Sequence, residues 1–98
     1  VNILADGQDE LCWKFAKEPT DGETSKFSGV EWKPSANGSP ILTGVIGWID
    51  CTVEVVYEVG DHFFVVGRVQ DLAQNDDVAA AMVFFRGKVA SVKMPTAE

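Results

Sequence analysis

Val59-Gly60-Asp61-His62-Phe63-Phe64-Val65-Val66-Gly67-Arg68-Val69 is the stretch that decides how this chain is expected to fold. It holds the only histidine and joins two runs with β character. Before it, apolar residues alternate with polar ones, a period of two that is typical of strands: Cys51, Val53, Val55 and Tyr57. After it comes the bulky apolar run Phe63 to Val66. Because Gly60 accepts a positive φ and Asp61 tolerates turn geometry, the stretch predicts a hairpin.

His62 lies one residue past this predicted turn, at the mouth of a sheet or barrel, where small ligands often bind. Imidazole is also the side chain whose unperturbed pKa lies closest to neutral. On the residues alone, the simpler interpretation is a turn histidine hydrogen-bonded to the backbone. Asp61 is interpreted as a turn-forming residue rather than an acid catalyst.

The composition restricts both the fold and the partners. Ninety-eight residues, 46% of them hydrophobic, are enough for one globular domain. So small a chain buries little of its surface, which favours association with further protein. The net charge of −7 disfavours binding to nucleic acid or to an anionic membrane. The longest uncharged stretch, Pro34 to Ile49, contains Pro40 and three glycines, so no membrane span is expected.

The two cysteines stand in different contexts, Cys12 in a helical pattern and Cys51 in a strand pattern. They are able to pair, but we interpret them as two buried thiols of a cytoplasmic protein. The sequence has no Cys-x-x-Cys or His-x-x-x-His spacing. No metal site is therefore expected.

One helix is expected, over about residues 7–18, with Asp6 as its cap and Pro19 as its stop. Apolar residues four apart form one stripe along it: Leu11 with Phe15, and Cys12 with Ala16. A helix this short must be held by docking the stripe onto a sheet. The preceding residues, Val1 to Leu4, have the pattern of a strand already under way, from which we expect the chain to be a fragment.

The remainder is patterned as antiparallel strands. A strand from Ile41 contains Gly44 and Gly47, which predicts a bulge or a close approach by another backbone or a ligand. The pattern continues to Tyr57, turns, and returns as far as Gln70.

Three later segments complete the prediction. Asp71 to Asp77 is expected to be a polar loop. Val78 to Met82 is ambiguous, because alanine favours helix while the flanking residues favour strand. Lys88 to Met94 is expected to form a last edge strand.

The order of motifs, up to about Lys88, resembles the flavin reductase-like family. The residues that carry the resemblance are Val1-Asn2-Ile3-Leu4-Ala5, Gln8, Phe15-Ala16, Lys26-Phe27-x-Gly29-Val30-x-Trp32, Pro40-x-Leu42-x-Gly44, Trp48-Ile49-Asp50-Cys51-x-Val53, Gly60-Asp61-His62, Val66-Gly67-x-Val69 and Phe85-Arg86-Gly87-Lys88. These proteins are the small NAD(P)H:flavin oxidoreductase components of two-component monooxygenases. The resemblance implies a mostly β, antiparallel Greek-key split β-barrel (FMN-binding split barrel) with one short helix. It further implies that residues 1–98 are the C-terminal portion of a flavin reductase-like domain.

The resemblance also implies site residues and cofactors. His62, with Asp61, is placed at the nicotinamide of NADH or NADPH, which reverses the simpler interpretation of that histidine. The strand-to-helix turn with Asn2, Ala5 and Gln8 is placed beside the flavin, FMN or FAD. No catalytic residue is expected, because the cofactors carry the reactivity.

The segment Phe85-Arg86-Gly87 is a further cofactor-binding candidate. Arg86 is either a solvated cation at a strand end or the partner of a dinucleotide phosphate, which a planar guanidinium suits well. The three tryptophans are a flavin-stacking surface in one interpretation. In the other, Trp13 and Trp48 belong to the core and Trp32 closes a loop.

The chain departs from the family pattern in two ways. The family's N-terminal portion, which holds the flavin phosphate and ring, is absent, and Ala80 to Phe85 replaces the family's Pro-Leu-x-Tyr. Three interpretations of function therefore stay open: a flavin reductase that supplies a partner oxygenase, a non-catalytic split-barrel binder of flavin or another cofactor, and an inactive fragment. The resemblance also implies a homodimer.

Overall fold

The computed structural model describes residues 1–17 and 26–93, and antiparallel strands dominate them. In chain order the elements are β1 (Asn2–Ile3), α1 (Asp9–Ala16), β2 (Trp32–Pro34), β3 (Pro40–Leu42), β4 (Gly47–Val59), β5 (His62–Gln74), β6 (Ala80–Phe85) and β7 (Lys88–Lys93). The predicted mostly β, antiparallel chain with one short helix is confirmed. No helix within the described ranges has the length and apolar character needed to cross a bilayer.

The first hairpin, β4 with β5, is the longest β feature, as predicted, with 13 residues in each strand. Its register runs from Gly47 opposite Gln74 to Val59 opposite His62. The expected loop after Gln70 is wrong in its first half, since β5 continues to Gln74. Backbone pairing decides this, because residues 71–74 lie opposite residues 47–50 of β4 and leave their polar side chains in solvent.

Both hairpins start from β1 and the two residues that follow it, Leu4 and Ala5. On one edge Asn2 lies opposite Trp48 of β4. On the other edge Ala5 forms a bridge with Ala81 of β6, and Met82 N–H donates to the Leu4 carbonyl over 3.3 Å. Both β4 and β6 are antiparallel to this segment, so they run in the same direction. The first hairpin and the second hairpin (β6 with β7) therefore project from the same end of β1.

The ambiguous segment 78–82 is strand from Ala80 onward. β6 pairs along its whole length with β7, and Ala81 also bridges to Ala5. These tertiary partners override the helix propensity of the alanines. The predicted last edge strand is confirmed as Lys88–Lys93.

The buried side chains are few and lie where β1, β3 and the start of β4 meet. The core residues are Ala5, Ile41, Leu42 and Val45, joined by one carboxylate, Asp50. Trp13 was expected in the core, but it is 40% exposed and meets the Phe84 ring edge-on at 6.1 Å. Trp32 is also exposed and lies 5.9 Å from the Phe27 ring.

The helix begins later than expected. Gln8, not Asp6, occupies the N-cap position, and no side chain caps it there. The reason is the tight turn made by Ala5 to Gln8, here called the 5–8 turn. In it Gln8 N–H donates to the Ala5 carbonyl over 3.2 Å and Gly7 has φ +89°. Asp6 is held inside that turn. Pro19, the expected stop, lies outside the described residues.

The distal part of the first hairpin is exposed on both faces. Every residue from Thr52 to Asp77 is exposed. Alternation along the paired strands assigns apolar side chains to each face: Val55, Tyr57, Val59, Phe64 and Val66 on one, and Val53, Val56, Phe63, Val65 and Val69 on the other. Strands with two apolar faces are typical of sheets covered on both sides. This hairpin is therefore built to be covered on both faces.

The strand predicted to run on from Ile41 is interrupted after Leu42, because Gly44 has φ +86° in a turn, and β4 begins at Gly47. Of the two predicted possibilities, a bulge or a close approach, Gly47 shows the close approach. A Cβ on Gly47 would lie 2.7 Å from the Ala73 carbonyl oxygen of β5. The irregularities of the ladder lie further along, between Asp50 and Cys51 and between Val53 and Val55. Only glycine therefore allows the two strands to pair tightly at this end.

We expect Gly47→Ala to lower the free energy of unfolding by about 1–3 kcal/mol, because the added methyl meets backbone that must shift. Urea denaturation followed by tryptophan fluorescence measures the loss. Thr52→Ala, exposed on the same strand, is the control and should change stability by no more than about 0.5 kcal/mol. Equal stability of the Gly47→Ala and wild-type proteins would contradict the close approach.

Candidate functional site

The 5–8 turn is the part of the predicted site that is held by a buried residue and several hydrogen bonds. Ala5 is buried, at 5% exposure, and its N–H donates to the Gln8 side-chain oxygen over 2.8 Å. On the side toward β6, Asp6 N–H donates to the Ala80 carbonyl over 3.0 Å. The turn is thus fixed both by its own side chain and by a neighbouring strand.

The amide side chains of Gln8 and Asn2 fasten this region to the segment around β3. Gln8 Nε2 donates to the Thr43 carbonyl over 2.9 Å, beside the turn glycine Gly44. Asn2 Nδ2 donates to the Pro40 carbonyl over 3.0 Å, and Asn2 Oδ1 accepts from Leu42 N–H over 2.9 Å. Each amide nitrogen carries two hydrogens, so each has one further N–H for a ligand. The structure therefore brings Asn2, Ala5 and Gln8 together.

A cavity of about 460 Å³ lies between β1, the helix and β3. The helix contributes Leu11, Cys12 and Phe15, and the strands contribute Asn2 and Leu42, among other residues. The predicted apolar stripe of the helix does face the sheet. Its side chains are only half-buried, because the cavity between the helix and the sheet is open. The volume falls in the range of small-molecule sites.

The tip of the second hairpin carries Phe85, Arg86 and Gly87. Arg86 and Gly87 have φ of +52° and +76°, the signs that a two-residue hairpin turn of type I′ requires. The guanidinium carbon of Arg86 lies 5.2 Å from the centroid of the Phe85 ring, a cation–π arrangement. Both side chains are exposed. The cation is therefore oriented by the ring and open to an anionic ligand.

The tip of the first hairpin carries Asp61 and His62 in direct contact. His62 Nδ1 and Asp61 Oδ1 are 2.6 Å apart, with side chains 80% and 93% exposed. Since an ionised carboxylate only accepts, Nδ1 donates to it and Nε2 is left for another group. Asp61 therefore orients the imidazole as well as forming the turn.

These candidate residues occupy three separate places. Asn2 lies opposite Trp48 of β4, whereas His62 lies opposite Val59, eleven residues further along that strand. At roughly 3.3 Å per residue, the strand path between the two positions is about 36 Å. Arg86 is nearer, only five residues beyond the bridge of Ala81 to Ala5. The resemblance placed His62 at the nicotinamide and the 5–8 turn at the flavin, and within one chain these two places lie at opposite ends of β4.

Asp50 is a residue that the sequence analysis did not single out. It is 4% exposed and lies under the loop between β2 and β3. The Ser35 hydroxyl, followed by Ser39 and Asn37, donates to this carboxyl and lowers its pKa, although burial opposes the shift. Oδ1 has no hydrogen-bond partner among the described residues and borders a cavity of about 10 Å³, close to the size of one water. Asp50 belongs to one of the motifs that carry the resemblance, but its local sequence assigns it no role, because its partners Ser35, Ser39 and Asn37 lie in another loop.

We expect the pH dependence of stability to reveal the Asp50 carboxylate. A lowered pKa means that the charged form stabilises the fold above the ordinary Asp pKa of about 3.9 and that this contribution is lost as the pH falls through the lower folded pKa. Asp50→Asn should therefore flatten the acid limb of the urea midpoint against pH. Asp77→Asn, at an exposed position, is the control. Parallel acid limbs for wild-type and Asp50→Asn proteins would contradict this assignment.

Residues 1–93 match the family described as "Flavin reductase like domain". The chain belongs to this family. It is 45% identical over 87 residues to a flavin reductase of Pseudomonas putida, an alignment that covers 89% of this chain and 48% of that protein. It is 37% identical over 94 residues to the reductase subunit HsaB of a flavin-dependent monooxygenase of Mycobacterium tuberculosis, covering 95% and 48%. The chain thus spans about half the length of these curated relatives.

A solved structure supports the same assignment. The nitrilotriacetate monooxygenase component B homolog of Mycobacterium thermoresistibile superposes with a TM-score of 0.81 at 34% identity, covering 99% of this chain and 55% of that one. The resemblance to flavin reductases and the split-barrel fold class are therefore confirmed.

Proposed function

We propose that the protein containing this chain reduces FMN or FAD with NADH or NADPH and supplies the reduced flavin to a partner oxygenase. The observation that carries the proposal is the family match over residues 1–93. The monooxygenase reductase subunit among the relatives supports the oxygenase as partner. We also propose the cytoplasm as its location and residues 1–98 as the C-terminal portion of the reductase domain.

The residues of this chain act by binding and orientation. The flavin, when bound, supplies the chemistry that accepts a hydride from the nicotinamide. The 5–8 turn, fixed by Gln8 and bridged to β6, offers a rigid support beside the flavin, and Asn2 offers its remaining N–H. Rigid support matters because hydride transfer needs the reacting atoms about 3–3.5 Å apart.

The two hairpin tips serve the nicotinamide nucleotide in this proposal. Arg86, with Phe85 and Gly87 beside it, offers an exposed guanidinium to a phosphate. His62, oriented by Asp61, offers Nε2 to the nicotinamide. Neither residue needs to act as an acid or a base, since a hydride carries its own electron pair.

A homodimer is part of the proposal. The distal first hairpin exposes apolar side chains on both faces, which isolated chains of this size rarely tolerate. Light scattering of the intact protein at micromolar concentration should give twice the mass of the chain. A monodisperse monomer would refute the dimer.

We expect His62→Ala in the intact protein to raise the KM for NAD(P)H while flavin affinity stays nearly unchanged. Arg86→Ala should do the same if it meets a phosphate, by roughly 10- to 100-fold, the range for losing a charge-assisted contact. Steady-state kinetics with the two substrates varied separately make the measurement. Lys17→Ala, exposed at the C-terminal end of the helix, is the control cation and should leave both constants unchanged.

The alternative functions give different results in two simple observations. If the purified protein has no flavin absorbance and does not bind added flavin, the interpretation as an inactive fragment is supported. Bound flavin that NAD(P)H fails to bleach identifies the non-catalytic binder. Bleaching under anaerobic conditions supports the reductase.

A further inference from the structure

We propose that Asn37 is a site of spontaneous deamidation and that Asp50 sets its rate by holding closed the loop between β2 and β3, here called the 35–39 loop. Deamidation converts the side-chain amide of asparagine into a carboxylate without an enzyme. Such a site lies outside the proposed function, since it requires neither flavin nor nicotinamide nucleotide.

The dipeptide Asn37-Gly38 carries the chemistry. The Gly38 nitrogen attacks Cγ of Asn37, the bond from Cγ to Nδ2 breaks, and ammonia leaves with the Gly38 proton, which closes a succinimide ring. Water then opens the ring, at Cγ to give aspartate or at the main-chain carbonyl carbon to give isoaspartate. A side chain on the following residue hinders the attack, and glycine has none. Among the described residues, no atom beyond the chain neighbours lies within 4 Å of the position that a Gly38 Cβ would take.

Hydrogen bonds within the closed 35–39 loop engage the reacting groups. Gly38 N–H donates to the Ser35 carbonyl over 2.9 Å, so the attacking nitrogen is already bonded. The Ser35 hydroxyl accepts from Asn37 N–H over 3.2 Å and from Ser39 N–H over 3.1 Å. Deamidation of the folded protein therefore requires the loop to open locally, and the free energy of that opening limits the rate.

Asp50 is the group outside the loop that restrains this opening. Its carboxyl is 4% exposed and accepts hydrogen bonds from the hydroxyls of Ser35 and Ser39 and from the backbone and side chain of Asn37. Hydrogen bonds to an ionised group are stronger than those between neutral groups. One carboxylate on β4 thus holds both the turn and the amide that would react.

The product of the reaction does not restore this arrangement. An amide nitrogen donates, whereas a carboxylate only accepts, so the product places a second negative charge beside Asp50. Isoaspartate also adds a carbon to the main chain just before Gly38, whose N–H must reach the Ser35 carbonyl in the closed loop. Modification therefore releases the 35–39 loop from β4, and the loop does not close again.

Peptide mass spectrometry of the intact protein, aged at neutral pH, measures modification at each asparagine. We expect Asn37 to react before Asn2 and Asn75, whose following residues carry side chains. Protein unfolded in urea should react faster at Asn37 than folded protein, because no loop restrains it. The proposal is overturned if Asn37 stays unmodified in urea, or if folded and unfolded proteins react at the same rate.

Asp50→Asn tests the restraint, because it keeps the size of the side chain and removes its charge. The folded variant should be modified at Asn37 roughly 10- to 100-fold faster than the wild type, the range for losing hydrogen bonds to a charged group. Asp77→Asn, exposed and outside the loop, is the control and should leave the rate unchanged. A wild-type rate in folded Asp50→Asn would overturn the role of Asp50.

Ser35→Ala keeps the proposal testable if Asp50→Asn fails to fold. It removes a donor to the carboxyl and leaves the buried charge in place. We expect faster hydrogen exchange at the Gly38 amide and faster modification of Asn37, since both follow the opening of the loop. Unchanged exchange and unchanged modification would show that the contact with Asp50 does not hold the loop closed.

A stability measurement tests the effect of the product charge without waiting for the reaction. Asn37→Asp should lower the urea midpoint at neutral pH, and the loss should be much smaller in an Asp50→Asn background, where the second charge is absent. Ala36→Asp adds the same charge to an exposed neighbour in the loop and is the matched control. Equal losses from Asn37→Asp in both backgrounds would refute the repulsion by Asp50.

Discussion

The fold depends on the short extended segment Asn2–Ala5, which pairs with β4 on one edge and with β6 on the other. β1 holds Trp48 of β4 on one side, and just beyond it Ala5 holds Ala81 of β6 on the other. Both hairpins therefore start from one place and project in one direction. Asn2, in the middle of this arrangement, also fastens β3 by bonding Pro40 and Leu42. The small core of the chain lies around the same junction. The contacts that position the two hairpins and the buried side chains that stabilise the fold therefore occur in one place.

The junction is held by hydrogen bonds and the distal first hairpin is exposed, and this contrast suits the proposed chemistry. Hydride transfer needs little from side chains beyond accurate placement of two rings. Hydrogen bonds from Gln8 and Asn2 fix the 5–8 turn to elements about 35 to 40 residues away in sequence. The first hairpin, in contrast, has apolar side chains on both faces and no cover on Thr52 to Asp77. Its burial requires further protein.

Asp50 is a second polar side chain that joins separate elements of the fold, in this case a loop and a strand. The carboxylate is buried on β4, where a charge is costly unless polar groups compensate for it. Ser35 and its loop neighbours provide that compensation and lower the pKa of the group. The loop between β2 and β3 is thereby attached to the same strand that pairs with β1. The arrangement supports the wall of the cavity beside Asn2.

The sequence by itself determined the first hairpin, the antiparallel class and the close approach at Gly47. Period-two alternation and the Gly60-Asp61 turn are local signals, because they act over neighbouring residues. Only the tertiary structure decided that β5 continues to Gln74, that Ala80 begins a strand, and that the helix begins after Gln8. It also decided that His62 and the 5–8 turn lie far apart in one chain. The strands depend on partners distant in sequence, whose pairing energy outweighs local propensity. The start of the helix depends on the 5–8 turn, in which Gln8 N–H donates to the Ala5 carbonyl.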